Sequence, residues 1–234
     1  MSVEAKNKVK IAVFDFDGTS IEGSSPSWLV NRLIRERKIS PITSLKIGFW
    51  GLAYKWRLPQ NEAWVRGQVF RAFEGKQQAD VDRYLVGFYD KYIAKRFRPK
   101  ADEAMRACAD EGCEVIVVSA SFEPIVVRAM ENHPFSHQIS TRMRVADDGT
   151  YTREVEGRPI EGDEKLVALR HWCDGHYGEG NWEIAYAYAD HHSDKPLLEA
   201  AMHPFAVTPN TGMSRIAREK AWPVLDWEID VPKK

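Results

Sequence analysis

Cysteine is scarce in this chain: 234 residues carry three, Cys108, Cys113 and Cys173. Their number is odd and no CxxC pair occurs. Neither a disulfide framework nor a zinc site is indicated, and a reducing, cytoplasmic setting is expected. Long hydrophobic runs are missing as well. No stretch approaches the roughly 18–20 uninterrupted apolar residues that cross a bilayer, and Met1-Ser2-Val3-Glu4-Ala5-Lys6 lacks the apolar centre of a signal peptide, so no transmembrane segment is expected. An excess of one charge is absent too. With 33 basic and 34 acidic side chains the formal charge is −1, which gives no general pull toward nucleic acid, and no nucleic-acid partner is expected.

What is present is a core. Hydrophobic residues make up 44% of the chain, and its length suits one core domain with an inserted lobe. The informative stretch is Lys10-Ile11-Ala12-Val13-Phe14-Asp15-Phe16-Asp17-Gly18-Thr19. It reads as a fully buried strand delivering Asp15 and Asp17 to its C-terminal tip, with Gly18 as the turn that follows. From Ser24-Ser25-Pro26-Ser27 the texture turns helical, with no convincing strand before Arg98. Residues 23–97 are therefore expected to form a helical cap, with 1–22 and 98–234 forming the core.

Beyond the cap, Pro99–Glu111 predicts an amphipathic helix. Cys113–Val118 predicts a second parallel strand ending in Ser119-Ala120-Ser121, and Pro124–Glu131 another helix. Gln138–Val145 and Thr150–Val155 flank Ala146-Asp147-Asp148-Gly149, a hairpin signal. Gly162-Asp163-Glu164 opens a helix carrying Lys165, and Glu183–Ala189 predicts a third core strand ending at Asp190. Short elements follow, closed by an edge strand at Trp222–Trp227, where Pro223 costs least. Alternating strands and helices imply an α/β fold: a doubly wound, mostly parallel, Rossmann-like sheet with an all-helical insertion and a small β-hairpin.

Strand tips of such a sheet converge at one edge, so Asp15, Asp17, Ser119 and Asp190 are expected to share a pocket with Lys165. Crowded carboxylates repel unless a cation sits among them, and oxygen-only ligands suit Mg²⁺. A hydroxyl and an ammonium facing the same spot suit the oxygens of a tetrahedral dianion. Taken singly, each residue has a plainer reading, as a helix cap, a turn residue or a solvated charge. Their joint order argues for a phosphoryl site. His191-His192 reads as a loop pair lining the entrance rather than as metal ligands, because nitrogen ligands suit zinc better.

Four segments carry a family resemblance: Asp15-Phe16-Asp17-Gly18-Thr19; Val117-Val118-Ser119; Lys165 in Gly162-Asp163-Glu164-Lys165-Leu166; and Asp190 with Asp194 before Pro196-Leu197-Leu198. In this order they resemble the motifs of haloacid dehalogenase-like hydrolases, and the insertion after the first motif is similar to the phosphoserine-phosphatase-like branch, subfamily IB. The resemblance implies a Mg²⁺-dependent phosphatase in which Asp15 forms an aspartyl-phosphate and Asp17 is acid and then base. It implies metal ligation by the Asp15 carboxylate, the Asp17 carbonyl and Asp190. Ser119, Lys165 and the Gly18 turn would bind phosphate, and Asp194 would stand near the metal waters or Lys165. The family usually has Gly and Ser beside the last metal Asp, whereas this chain has Ala189 and His191.

Phosphoserine phosphatases resemble this core but generally place a Glu nine positions after the nucleophile, where this chain has Ser24 beside Glu22. The aromatic and basic stretch around Trp50 and Trp56 reads as a packed helix with snorkelling cations or as the wall of a substrate pocket. Glu22, Ser24, Trp50, Trp56 and His191 are the candidate pocket residues. The expected partner is a small-molecule phosphate ester, with histidinol phosphate, phosphoserine and lysophospholipid-type monoesters as candidates, met by a monomer or homodimer. The alternatives are a phosphoryl transferase on the same fold and a non-catalytic binding module.

Overall fold

The structure is a computed structural model that describes residues 8–39 and 69–229. Its centre is a six-stranded sheet in which every pairing is parallel. Strand β1 (Val9–Asp15) lies between β2 (Glu114–Phe122) and β6 (Trp182–Ala189). Outside these lie β3 (His137–Thr141) on one side, and β7 (His203–Val207) and β8 (Val224–Leu225) on the other. The run of apolar residues in β1 follows from this central position. Ile11 and Val13 pack on one face and Ala12 and Phe14 on the other, and all four are fully buried.

One face is covered by α5 (Asp163–Tyr177), α6 (Lys195–Glu199) and α7 (Thr211–Lys220), through Leu169, Cys173, Leu197, Leu198, Met213 and Ala217. The other carries an aromatic ladder across the strands. Phe14 stacks on Tyr188 at 4.3 Å, and Tyr188 stacks in turn on Phe205 at 4.9 Å and Trp227 at 5.6 Å. Burying one such ring stabilises the fold by about 1.5–3 kcal/mol. Helices α3 (Pro99–Asp110) and α4 (Glu123–Met130) lie on this second face. The same hydrophobic cluster takes in α1 (Ser25–Arg35) and α2 (Gln78–Phe88), the latter continued by a π turn at Tyr89–Ile93 and a 3-10 turn at Ala94–Arg96.

The two chain crossings into the helical insertion run side by side. Glu22 N–H donates to the Arg96 carbonyl at 2.8 Å, Arg98 N–H donates to that of Ser20 at 2.9 Å, and Ile21 bridges antiparallel to Phe97. Leu29, Leu33, Phe70, Phe73, Leu85 and Tyr89 of the insertion share one hydrophobic cluster with Phe14 and Phe16 of the core.

The region expected as one strand over Gln138–Val145 is two. His137–Thr141 joins the main sheet parallel to β2, while β4 (Met143–Val145) pairs antiparallel with β5 (Tyr151–Val155). Arg142 is exposed between buried Thr141 and Met143, and there the chain leaves one sheet for the other. The tip of this hairpin reaches the insertion. Gly75 N–H donates to Tyr151 O, Tyr151 N–H to Lys76 O, and Gln78 N–H to Gly149 O, all at 2.9–3.0 Å, and the Tyr151 hydroxyl donates to Asp82 at 2.6 Å. At the far edge, β8 is two residues long and the Pro223 carbonyl accepts from Ala206 N–H at 2.9 Å, a place where the missing proline donor is not needed.

Candidate active site

The C-terminal ends of β1, β2 and β6 lie together because the strands are parallel and adjacent. Asp15 is level with Val118 of β2, one residue before Ser119, and Phe14 is level with Tyr188 of β6, two residues before Asp190. The chain turns off the sheet at Gly18, whose φ is +82°. A Cβ there would lie 2.3 Å from Asp190 Oδ2, so both the left-handed backbone and the close approach require glycine. Thr19 Oγ1 lies within 3.4 Å of Asp190 Oδ1, and Ser20 Oγ donates to the Asp15 carbonyl at 2.6 Å, pinning the turn.

Lys165 enters from the first turn of α5, whose entry at Gly162 takes φ +53°. Its Nζ donates to Asp15 Oδ1 at 2.6 Å and stands 2.8 Å from Asp194 Oδ1. Asp194 Oδ1 is thus ion-paired with the ammonium, and Asp194 Oδ2 is buried with no hydrogen-bond partner. One carboxylate oxygen from each of Asp15, Asp190 and Asp194 lies within 4.8 Å of the others. At that spacing each pair of charges repels by about 3–4 kcal/mol at an effective dielectric of about 20. Three ionised carboxylates and one ammonium leave two negative charges over, which one divalent cation would balance. The unpartnered Asp194 Oδ2 and the all-oxygen donor set fit such an ion.

The electrostatics follow the burial. Desolvation pushes the Asp15 carboxyl well above the ordinary carboxylate range, against the pull of Lys165. Burial, with Asp194 adding to it, pushes Asp190 up to about 6. Burial alone would lower Lys165, but Asp15 and Asp194 outweigh it and hold the ammonium well above its usual value.

Asp17 faces a different set of groups. Ser25 N–H donates to Oδ1 at 2.5 Å, Ser25 Oγ donates to Oδ2 at 3.2 Å, and Ser121 Oγ also donates to Oδ2. Burial holds the Asp17 carboxyl above its ordinary value, and these bonds offset only part of that rise. Ser119 is fully buried next to the cluster, its Oγ accepting from Ser121 N–H at 3.0 Å.

The structure thus brings Asp15, Asp17, Gly18, Ser119, Lys165, Asp190 and Asp194 to one edge. The candidate pocket residues have other partners. Ser24 caps α1 by accepting from Ser27 N–H, and the Glu22 carboxylate stands 3.9 Å from Arg96. His191 is half-buried, with Nδ1 2.8 Å from Ser193 Oγ. Trp50 and Trp56 lie outside the described residues.

Reasoning from sequence missed Thr19, Ser20, Ser25 and Ser121 as site residues. It also missed Arg98, which is buried beside the linkers and donates to Thr208 Oγ1 at 3.2 Å. The helix-start pattern at Ser24–Ser27 was the available signal for Ser25, and the serine at the end of β2 was that for Ser121.

Among the described residues no helix is long and apolar enough to cross a membrane. A histidinol-phosphatase from Neisseria meningitidis is 29% identical over 233 residues, covering 93% of this chain and 99% of that one. A Bordetella pertussis crystal structure of unknown function superposes with a TM-score of 0.83 at 23% identity, covering 94% of this chain and all of that one. A phosphoserine phosphatase solved as a phospho-aspartyl intermediate analogue superposes at 0.62 with 20% identity, covering 95% of each. The family model for haloacid dehalogenase-like hydrolases matches residues 12–199, a span that contains Asp15, Asp17, Ser119, Lys165, Asp190 and Asp194. The chain is an enzyme of the haloacid dehalogenase-like hydrolase family, and its phosphatase relatives share its fold.

Proposed function

We propose that this protein is a Mg²⁺-dependent phosphomonoesterase that works through an aspartyl-phosphate on Asp15. The observation that carries this reading is the meeting of Asp15, Lys165, Asp190 and Asp194 at one sheet edge, with Asp17 held beside them. Asp15 attacks phosphorus through its carboxylate, the P–O bond to the alcohol breaks, and Asp17 gives the departing oxygen its proton. Water then attacks phosphorus, Asp17 takes its proton, and inorganic phosphate leaves with Asp15 restored. Lys165 and Ser119 hold the phosphoryl oxygens, and the Lys165 ammonium also pulls Asp15 toward its ionised form against the effect of burial. The cation would be held by Asp15, Asp190 and the Asp17 carbonyl, with Asp194 beside it. When bound it supplies positive charge that offsets the carboxylates and the phosphate dianion.

The substrate is a small phosphate ester. Histidinol phosphate leads because the Neisseria relative that matches along almost its whole length bears that activity in its name. Phosphoserine is less well supported, since Ser24 stands where an ammonium-binding glutamate would and spends its hydroxyl on capping α1.

The test is inorganic phosphate release from histidinol phosphate, phosphoserine and a lysophosphatidate, with and without Mg²⁺. Turnover that needs Mg²⁺ and vanishes in Asp15→Asn is the expected result. Turnover that persists in EDTA, or an Asp15→Asn protein as active as wild type, overturns the mechanism.

A further inference from the structure

The mechanism asks Asp17 to move two protons per cycle, yet its carboxylate is held by side chains that the four motifs leave without a task. Ser25 and Ser121 lie 96 residues apart, on α1 and β2, and both are buried. Their hydroxyls are 2.5 Å from one another and both bond Asp17 Oδ2, while Ser25 N–H bonds Oδ1.

A purely structural role accounts poorly for this arrangement. Capping of α1 is already done by Ser24, which takes Ser27 N–H on its side chain and Trp28 N–H on its carbonyl. Pro26 has no N–H, so Ser25 N–H is the first-turn donor left over, and it points at Asp17. Ser121 has its own backbone donor satisfied by Ser119 Oγ, which leaves its hydroxyl for Asp17.

We propose that Ser25 and Ser121 are positioning residues that grip the Asp17 carboxylate between α1 and β2 and fix its direction for the two proton transfers. The inference rests on the acid-base role given to Asp17 above. The grip joins the insertion to the core, so the acid-base group is set by both at once. A carboxylate held on both oxygens keeps one rotamer, and effective proton transfer depends on hydrogen-bond reach to the reacting oxygen.

Leaving-group chemistry tests the grip. An alkyl ester such as β-glycerophosphate needs a proton on its departing oxygen, whereas p-nitrophenyl phosphate releases a stable phenolate without one. In single-turnover measurements on the Mg²⁺-loaded protein, Ser121→Ala is expected to slow glycerol release by about 10–100-fold, and the p-nitrophenol burst by less than about 3-fold. KM for each ester should stay within about twofold of wild type, because the phosphate contacts are untouched. Ser25→Ala should show the same split to a smaller degree, since its N–H remains, and Ser121→Thr should restore most of the lost rate.

Equal slowing of both esters, a rise in KM alone, or no slowing in either alanine variant overturns the inference. Should Ser121→Ala not fold, the same split in Ser25→Ala, with near wild-type rates in Ser121→Thr, supports the grip, and its absence overturns it. A wild-type protein that releases phosphate from neither ester nor from histidinol phosphate, phosphoserine or a lysophosphatidate, or an Asp15→Asn protein as active as wild type, would instead overturn the phosphatase mechanism on which the grip depends.

Discussion

Lys165 Nζ lies 2.6 Å from Asp15 Oδ1, across 150 residues of chain, and both side chains are almost wholly buried. Removing one partner of such a pair leaves the other charged and unsolvated, a loss of about 3–5 kcal/mol. Lys165→Met is therefore expected to lower the unfolding free energy by about that amount at neutral pH, as read by urea denaturation, and to abolish turnover. The deficit should shrink as the pH is lowered, because Asp15 and Asp190, already raised by burial, then take up protons. An unchanged denaturation midpoint at neutral pH would contradict the pairing.

Asp190 sets a second expectation. With its folded value at about 6 against an ordinary 3.8, the native state keeps a proton that the unfolded chain has already lost. Protons bound in the native state exceed those bound in the unfolded state across that window, so this contribution to stability is complete below about pH 4 and is lost as pH rises through about 6. Mg²⁺ held there as proposed would need the ionised carboxylate and would oppose the loss. Thermal midpoints measured with and without Mg²⁺ should differ little at about pH 5 and clearly at about pH 7.5. A Mg²⁺ effect that is largest on the acid side would refute this.

Gly18 is the tightest steric constraint at the site. In Gly18→Ala the new methyl would overlap the Asp190 carboxylate and strain a backbone at φ +82°. The left-handed strain alone costs about 1–2 kcal/mol, and displacing Asp190 should weaken Mg²⁺ binding by at least about tenfold. Calorimetric titration of Mg²⁺ into the variant checks this, and wild-type affinity would show that the turn yields without cost.

The three thiols should be inert in the native protein. Burial pushes Cys108 up to about 11 and Cys173 up to about 12, and raises Cys113 as well. Since the thiolate is the reactive form, iodoacetamide at neutral pH should label none of them until denaturant is added. Rapid labelling of the folded chain, read by intact mass, would contradict their burial.

The parts legible in the sequence are those that short-range pattern encodes. The run from Ile11 to Phe14 announces a central strand because both of its faces are buried, and a polar residue ending each core run marks the shared edge. The Gly162–Lys165 helix start puts the ammonium on the right element. Pairing partners are a different matter. Residues 138–145 look like one strand, and nothing local shows that the first part prefers β2 and the second β5. Ser25 and Ser121 are hidden for the same reason. Each alone looks like an element-end serine, and their meeting at Asp17 exists only after the fold has closed a gap of 104 residues between 17 and 121.

The hairpin formed by β4 and β5 has a consequence for modularity. Its tip supplies and accepts backbone bonds for residues 75–78, and Tyr151 reaches Asp82. A helical lobe transplanted from a relative lacking this hairpin would bring no matched partners for the Gly149 and Tyr151 backbone groups or for the Tyr151 hydroxyl, so the two pieces can be exchanged between proteins only as a set.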